Sequence, residues 1–206
     1  MKSKRWTKLE ITKQNRKVVG FFFSVVVRGE NYCRSKNMYR VYKQLIPVDD
    51  LIVEKITQLV QTKGSSIFNP DRKRWQIRLP PSNPFYFTFT SALESIGLVR
   101  GRTIGRMVAL HSRAGCKQQQ WHYDYDPTLV ASVRKKPYGA VVALEHGTKL
   151  AIHGVGDVLL NPGDCLVFDG DCVHAGSAYD APNTRVHVYL DVPTIDRKKN
   201  RTWYYN

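Results

Sequence analysis

From Thr103 onward the sequence is a succession of short apolar-rich runs, each too brief for a helix and each closed by turn residues. Strands are expected near 104–111, 118–124, 138–146, 148–153, 156–160, 164–168, 172–174 and 184–192. Gly154-Val155-Gly156 and Pro162-Gly163 punctuate them. About eight short strands point to two packed antiparallel sheets, a jelly roll. Upstream, Pro47 and two aspartates open a helix over 47–62 that Lys63-Gly64 closes. Leu51, Ile52, Ile56, Leu59 and Val60 form its apolar stripe. A loop rich in Pro, Asn and Arg follows through Pro80-Pro81, and a second helix is expected over Thr90–Val99. The class is mainly β (α+β), with helices buttressing one sheet.

Strand parity sorts the side chains. In 184–192, Arg185, His187 and Tyr189 share one face and Val186, Val188, Leu190 and Val192 the other. A polar inner face with an apolar back fits a strand that lines a site and packs behind against the helices. In 118–124, Gln118, Gln120, His122 and Asp124 fall together, with Trp121 and Tyr123 opposite. An imidazole and a carboxylate on one face make half of a metal site. His174 supplies a third ligand, and Arg185, eleven residues on, is a cation suited to gripping a carboxylate. Two histidines and one carboxylate on one side of a metal form the facial triad of non-haem iron(II) oxygenases, leaving positions open for reactants.

His122-x-Asp124, a long gap, Gly163-Asp164-x-x-x-Phe168, His174 and then Arg185 resemble the pattern of the iron(II)/2-oxoglutarate-dependent dioxygenase superfamily, over residues 104–192. The resemblance implies a double-stranded β-helix, with Fe(II) held by His122, Asp124 and His174. It also implies 2-oxoglutarate and O2 as cosubstrates, ascorbate as a reductant in vitro, and hydroxylation of a substrate C–H with release of succinate and CO2. Arg185 is then expected to bind the distal carboxylate of 2-oxoglutarate. Relatives place Ser or Thr two residues later, where this chain has His187; a hydrogen bond to the cosubstrate and simple core packing are both open for it, but not a fourth metal bond. Gln118 and Gln120 face the cleft by parity, as cosubstrate or substrate contacts or as ordinary strand polarity. His111 ends a strand where relatives carry a residue touching 2-oxoglutarate. His146 and His153 read as satisfied strand or loop histidines, and Cys165 and Cys172 as small buried hydrophobes. The segment from Asp126 to Tyr138, with Arg134-Lys135-Lys136, reads equally as a lid or a solvated hairpin tip.

A chain of 206 residues can bury a core as a single domain. Its net charge of +15 reads equally as the mark of an anionic partner, nucleic acid first, or as a solvated basic surface. Residues 1–44 hold twelve Lys and Arg against two acids and are expected to form a basic extension packed on a main domain of 45–206. Within them, Val18–Val27 is too short to span a bilayer and reads as a buried strand, so no membrane association is expected. Four scattered cysteines make neither a zinc site nor a disulfide framework, which places the chain in a reducing interior, cytoplasmic or nuclear. Three functional readings stay open: a hydroxylase of a protein or peptide, a nucleic-acid base or N-methyl demethylase, and an inactive jelly-roll metal-binding module. Met107–Tyr125 resembles the paired strands of prolyl hydroxylases, which commonly carry Lys in place of Arg185. Trp121-His122 with Arg185 resembles phytanoyl-type hydroxylases. Alkylation-repair enzymes carry a second Arg where this chain has Asp191.

Overall fold

The computed structural model describes residues 38–67, 72–197 and 202–205. The strands among them are β1 (Tyr39–Tyr42), β2 (Ser65–Ser66), β3 (Arg74–Arg78), β4 (Thr103–Ser112), β5 (His122–Tyr123), β6 (Tyr138–Ala143), β7 (Thr148–Ile152), β8 (Gly156–Leu160), β9 (Cys165–Asp169), β10 (His174–Gly176), β11 (Asn183–Asp191) and β12 (Trp203–Tyr204). The helices are α1 (Asp50–Lys63), α2 (Pro84–Ser95) and α3 (Pro127–Ser132). One sheet has the order β1-β9-β6-β11-β4-β3-β2 and the other β12-β5-β10-β7-β8. Every strand pairing is antiparallel. The eight strands expected from the sequence are β4 to β11, four in each sheet, interleaved as a double-stranded β-helix. β1, β2, β3 and β12 extend the two sheets at their edges.

β11 occupies the middle of the larger sheet, and its alternation explains the layering. Val186, Val188 and Leu190 are fully buried in one core with Ile56 and Val60 of α1 and Phe85, Phe89 and Leu93 of α2. Each such side chain contributes about 1.5–3 kcal/mol by leaving water. On the opposite face, Arg185, His187 and Tyr189 look into a cleft that residues of both sheets line. A second apolar cluster, built around Val141, Ile152, Leu166 and Phe168, fills the space between the sheets.

The second helix starts six residues earlier than expected and ends at Ser95 rather than Val99. Asn83 caps it by accepting from the Phe85 N–H at 3.0 Å, and Pro84 takes the first turn, where its missing N–H costs nothing. Phe85, Phe89 and Leu93 then recur at helical spacing along the buried face. The expected strand 118–124 shrinks to His122–Tyr123. Upstream of it the chain meets β10 and its exit only at separate points: Gln119 N donates to Gly176 O at 2.9 Å, and Cys116 bridges Tyr179.

Asp164 of the Gly163-Asp164 pair is structural. Its carboxylate accepts from the backbone N–H of Asn161 and Gln44, each at 3.0 Å, and from Lys43 Nζ at 3.1 Å, so one buried acid closes a turn and ties down the end of β1. Gly163 has φ +86°, and a Cβ there would lie 2.5 Å from the Ile46 carbonyl oxygen. Cys116, Cys165 and Cys172 are buried and form no disulfide among the described residues. The expected strand at 18–27, Cys33 and most of the basic extension lie outside the described residues. Among the described residues, no helix is long and apolar enough to cross a membrane.

Candidate metal centre

His174 of β10 stands directly opposite His122 of β5, so one antiparallel pair presents both imidazoles at a single point of the cleft. Their ring centroids are 4.5 Å apart. Asp124 follows His122 by two residues and places Oδ1 3.6 Å from His174 Nε2. One ligand atom from each of the three side chains lies within 4.8 Å of the other two. Backbone carbonyls fix both tautomers: His122 Nδ1 donates to Gln120 O at 2.8 Å and His174 Nδ1 to Cys172 O at 3.0 Å. A carbonyl only accepts, so the protons sit on Nδ1 and both Nε2 lone pairs are left for a cation.

The electrostatics fit the same purpose. Burial lowers His174 to about 4, so it is a neutral ligand at pH 7. Burial alone would raise the Asp124 carboxyl, but the imidazoles of His187 and His174 outweigh it and hold the group ionised, well below the usual carboxylate range. Asp124 Oδ2 and His187 Nε2 are buried 3.1 Å apart without the alignment of a hydrogen bond. A cation bound to Asp124 would satisfy that orphaned oxygen. Gly139 keeps the space open, since a Cβ there would fall 2.8 Å from Asp124 Oδ2 and 2.3 Å from the Phe168 ring. The donor set, two neutral nitrogens and one charged oxygen with the rest of the sphere open, fits a divalent transition metal.

Arg185 lies along β11 from His187, 1% exposed. Its Nη1 donates to Ser112 Oγ at 3.1 Å, and the Tyr179 ring stands 4.8 Å from its guanidinium carbon. No carboxylate pairs with it among the described residues, which leaves a buried fork able to take one from a ligand. His187 joins the site through Asp124, its ring between Phe168 at 6.2 Å and Tyr189 at 4.5 Å.

Three expectations require correction. Gln118 and Gln120 are exposed and do not line the cleft, because residues 118–121 are not strand and parity does not apply to them. Gln119 lines it instead, accepting from the Gly176 N–H at 3.1 Å. His111 faces the helices: its Nδ1 lies 3.0 Å from Thr184 Oγ1 and its Nε2 3.3 Å from Gln61 Nε2. On β4 the cleft face belongs to Arg106, Val108 and Leu110, so the odd-numbered His111 falls behind the sheet. The segment after Asp126 forms α3, anchored by Val130 in a small core with Tyr125, Val192 and Ile195, and it does not line the cleft. His146 and His153 are exposed and also lie outside the cleft.

Arginines at 74, 106 and 197 line the cleft without having been expected there. In sequence, Arg74 and Arg197 belong to the basic clusters Arg72-Lys73-Arg74 and Arg197-Lys198-Lys199, which lean towards a macromolecular substrate. Yet Arg74 is 1% exposed, and its Nη2 donates to the carbonyls of Ser177 at 2.9 Å and Lys117 at 3.3 Å. Arg106 shares parity with Val108 and Leu110, a usable signal once β4 is assigned.

Neither a protein-family model nor a curated protein sequence matches the chain. Its structure is similar to several solved ones. HygX from Streptomyces hygroscopicus, solved with nickel and 2-oxoglutarate bound, aligns with a TM-score of 0.59 at 10% identity, covering 79% of this chain and 85% of that one. The viral collagen prolyl hydroxylase of Paramecium Bursaria Chlorella virus-1, a 2-oxoglutarate complex, aligns at 0.56 and 13%, covering 79% and 99%. A Pseudomonas putida prolyl-4-hydroxylase aligns at 0.55 and 12%, covering 75% and 92%. At these identities the likeness is one of fold: the chain is built as the double-stranded β-helix that 2-oxoglutarate-dependent oxygenases use.

Proposed function

We propose that this protein is an iron(II)- and 2-oxoglutarate-dependent oxygenase that hydroxylates a substrate C–H bond. The observation that carries the reading is the convergence of His122, Asp124 and His174 in a cleft that also contains the buried guanidinium of Arg185, which no carboxylate of the described residues engages. His122 Nε2, His174 Nε2 and Asp124 would hold the metal, and Arg185 the distal carboxylate of 2-oxoglutarate. Once bound, iron and cosubstrate supply O2 activation, with succinate and CO2 as the products of 2-oxoglutarate.

The chain's own residues bind, orient and shield. The Nδ1 hydrogen bonds to Gln120 O and Cys172 O keep both imidazoles aimed inward. Ser112 and the Tyr179 ring hold the Arg185 fork in place, so a carboxylate meets a prepared partner. Phe168, Val141 and Leu150 line the cleft with apolar surface and limit water beside it. The cleft holds about 350 Å³, in the range of small-ligand sites.

The test is anaerobic addition of ferrous iron and 2-oxoglutarate, followed by O2. An iron-to-cosubstrate charge-transfer band, and succinate formed with ascorbate present, are the expected results. His174→Ala should lose the metal, while Arg185→Met should keep it and bind 2-oxoglutarate roughly 100-fold more weakly. Absence of the band and of succinate, with iron bound, would leave a metal-binding module without turnover.

A further inference from the structure

The next inference rests on the oxygenase reading and concerns the molecule acted on. Arg185, His187 and Tyr189 follow one another along the cleft face of β11, and the strand rise sets the outer two about 13 Å apart. Asp124 meets His187 between them. With the Arg185 end given to the cosubstrate, the Tyr189 end is left for substrate.

Two arginines line that end. Arg106 lines it from β4, directly opposite Tyr189 in the sheet. The guanidinium carbon of Arg197 stands 4.0 Å from the centre of the Tyr189 ring. Arg197 Nε donates to Asp191 Oδ1 at 3.0 Å, and the Tyr125 hydroxyl donates to the same oxygen at 2.7 Å. The ion pair therefore engages only the Nε edge. Among the described residues, the Nη nitrogens of Arg197 have no hydrogen-bond partner. Its side chain is 10% exposed, so stacking and the Nε bond leave it little freedom to turn away. Its rotamer entropy is spent before any ligand arrives.

Two guanidinium groups, Arg197 and Arg106, and one carboxylate, Asp191, meet at this end among the described residues. A cationic substrate packed here would desolvate the guanidinium donors without compensation, and a neutral carbonyl or hydroxyl would accept only a weaker bond, whereas an oxyanion takes two of them at once in charge-assisted bonds. We propose that the substrate carries an oxyanion, phosphate or carboxylate, which docks on Arg197 and Arg106 beside Tyr189 while the C–H to be oxidised faces the metal centre. The net charge of +15 favours the approach of such a molecule.

The full chain, loaded with Mn2+ and saturating 2-oxoglutarate, tests this with inorganic phosphate and acetate as probes. Phosphorus and methyl-proton relaxation of the two anions are compared with the Mg2+-loaded protein. Enhanced relaxation of at least one anion is expected, falling about tenfold in Arg197→Met and in Arg106→Met. Arg197→Lys, which keeps the charge but not the fork, should retain part of it, and Arg134→Met on the exposed surface all of it. The larger of the two responses tells phosphate from carboxylate.

No enhancement for either anion, or enhancement that survives both methionine variants, overturns the proposal. So does weaker 2-oxoglutarate binding in Arg197→Met, which would give that arginine to the cosubstrate. Cosubstrate binding by the unmodified chain is measured before either anion is added. Failure at that stage sinks the oxygenase reading itself rather than this assignment alone.

Discussion

His174 is the most buried of the three candidate ligands. Its imidazole is 3% exposed and is lowered to about 4, against 6.5 in an unfolded chain. Between those values the unfolded chain takes up a proton that the folded one refuses. The stability this group contributes is therefore complete above pH 6.5 and is lost as the pH falls towards 4, about 3 kcal/mol in all. Urea titrations of metal-free protein at pH 7 and 4.5 should show a falling midpoint, and His174→Gln should flatten that fall. A midpoint independent of pH across the window would mean that water reaches His174 in the folded protein. Asp124 answers lower on the scale, because its depressed carboxyl stays ionised until well below the usual range. Gly139 sets a second limit at this scale. A methyl group there meets the Phe168 ring and Asp124 Oδ2 at once, so Gly139→Ala should weaken Mn2+ binding about tenfold or more while leaving the sheet paired. Calorimetric titration with Mn2+ alone measures it.

α2 shows how an element is held by positions that local pattern leaves ambiguous. Phe89 is fully buried in the core that also takes in residues of α1 and the back of β11, while Phe87, two residues before it, is 73% exposed. Phe89→Ala should cost about 3–5 kcal/mol, and Phe87→Ala no more than about 0.5 kcal/mol, both read from denaturant midpoints. Similar costs for both would reject this helix register. The same element marks where sequence reasoning runs out. Its Thr- and Phe-rich start does not stand out as helix, and only the Asn83 cap and Pro84 mark where it begins. β11 was legible, because alternation over nine paired residues sends each side chain to a definite face. His122, Asp124 and His174 were recognisable through their spacing and resemblance, and the structure brings them together. Gln118 and Gln120 were misplaced because parity presumes a continuous strand, and the chain there touches its neighbour only at isolated points. Arg74 and Arg197 could not be found from pattern, since a basic cluster says nothing about which of its members folds inward.

At the scale of the whole molecule, the centre joins parts of the chain that are distant in sequence. β5 and β10 of the smaller sheet supply the histidines, with Asp124 just after β5, while β11 of the larger sheet supplies Arg185 and His187. A ligand that bridges these elements binds the folded chain and not the unfolded one, so it must raise stability by mass action. At a ligand concentration a thousand times its Kd the gain is about 4 kcal/mol, which in a domain of this size raises the melting temperature by roughly 8–16 °C. Mn2+ should raise it alone. 2-Oxoglutarate should add a further rise only when Mn2+ is present, because chelation needs the metal and the Arg185 contact alone grips a single carboxylate. In Asp124→Ala neither increment should appear, and in Arg185→Met the metal increment should remain while the cosubstrate increment disappears. Differential scanning fluorimetry of these four combinations separates the two halves of the site. A 2-oxoglutarate shift that persists without metal, or one that survives Arg185→Met, would place the cosubstrate elsewhere in the molecule.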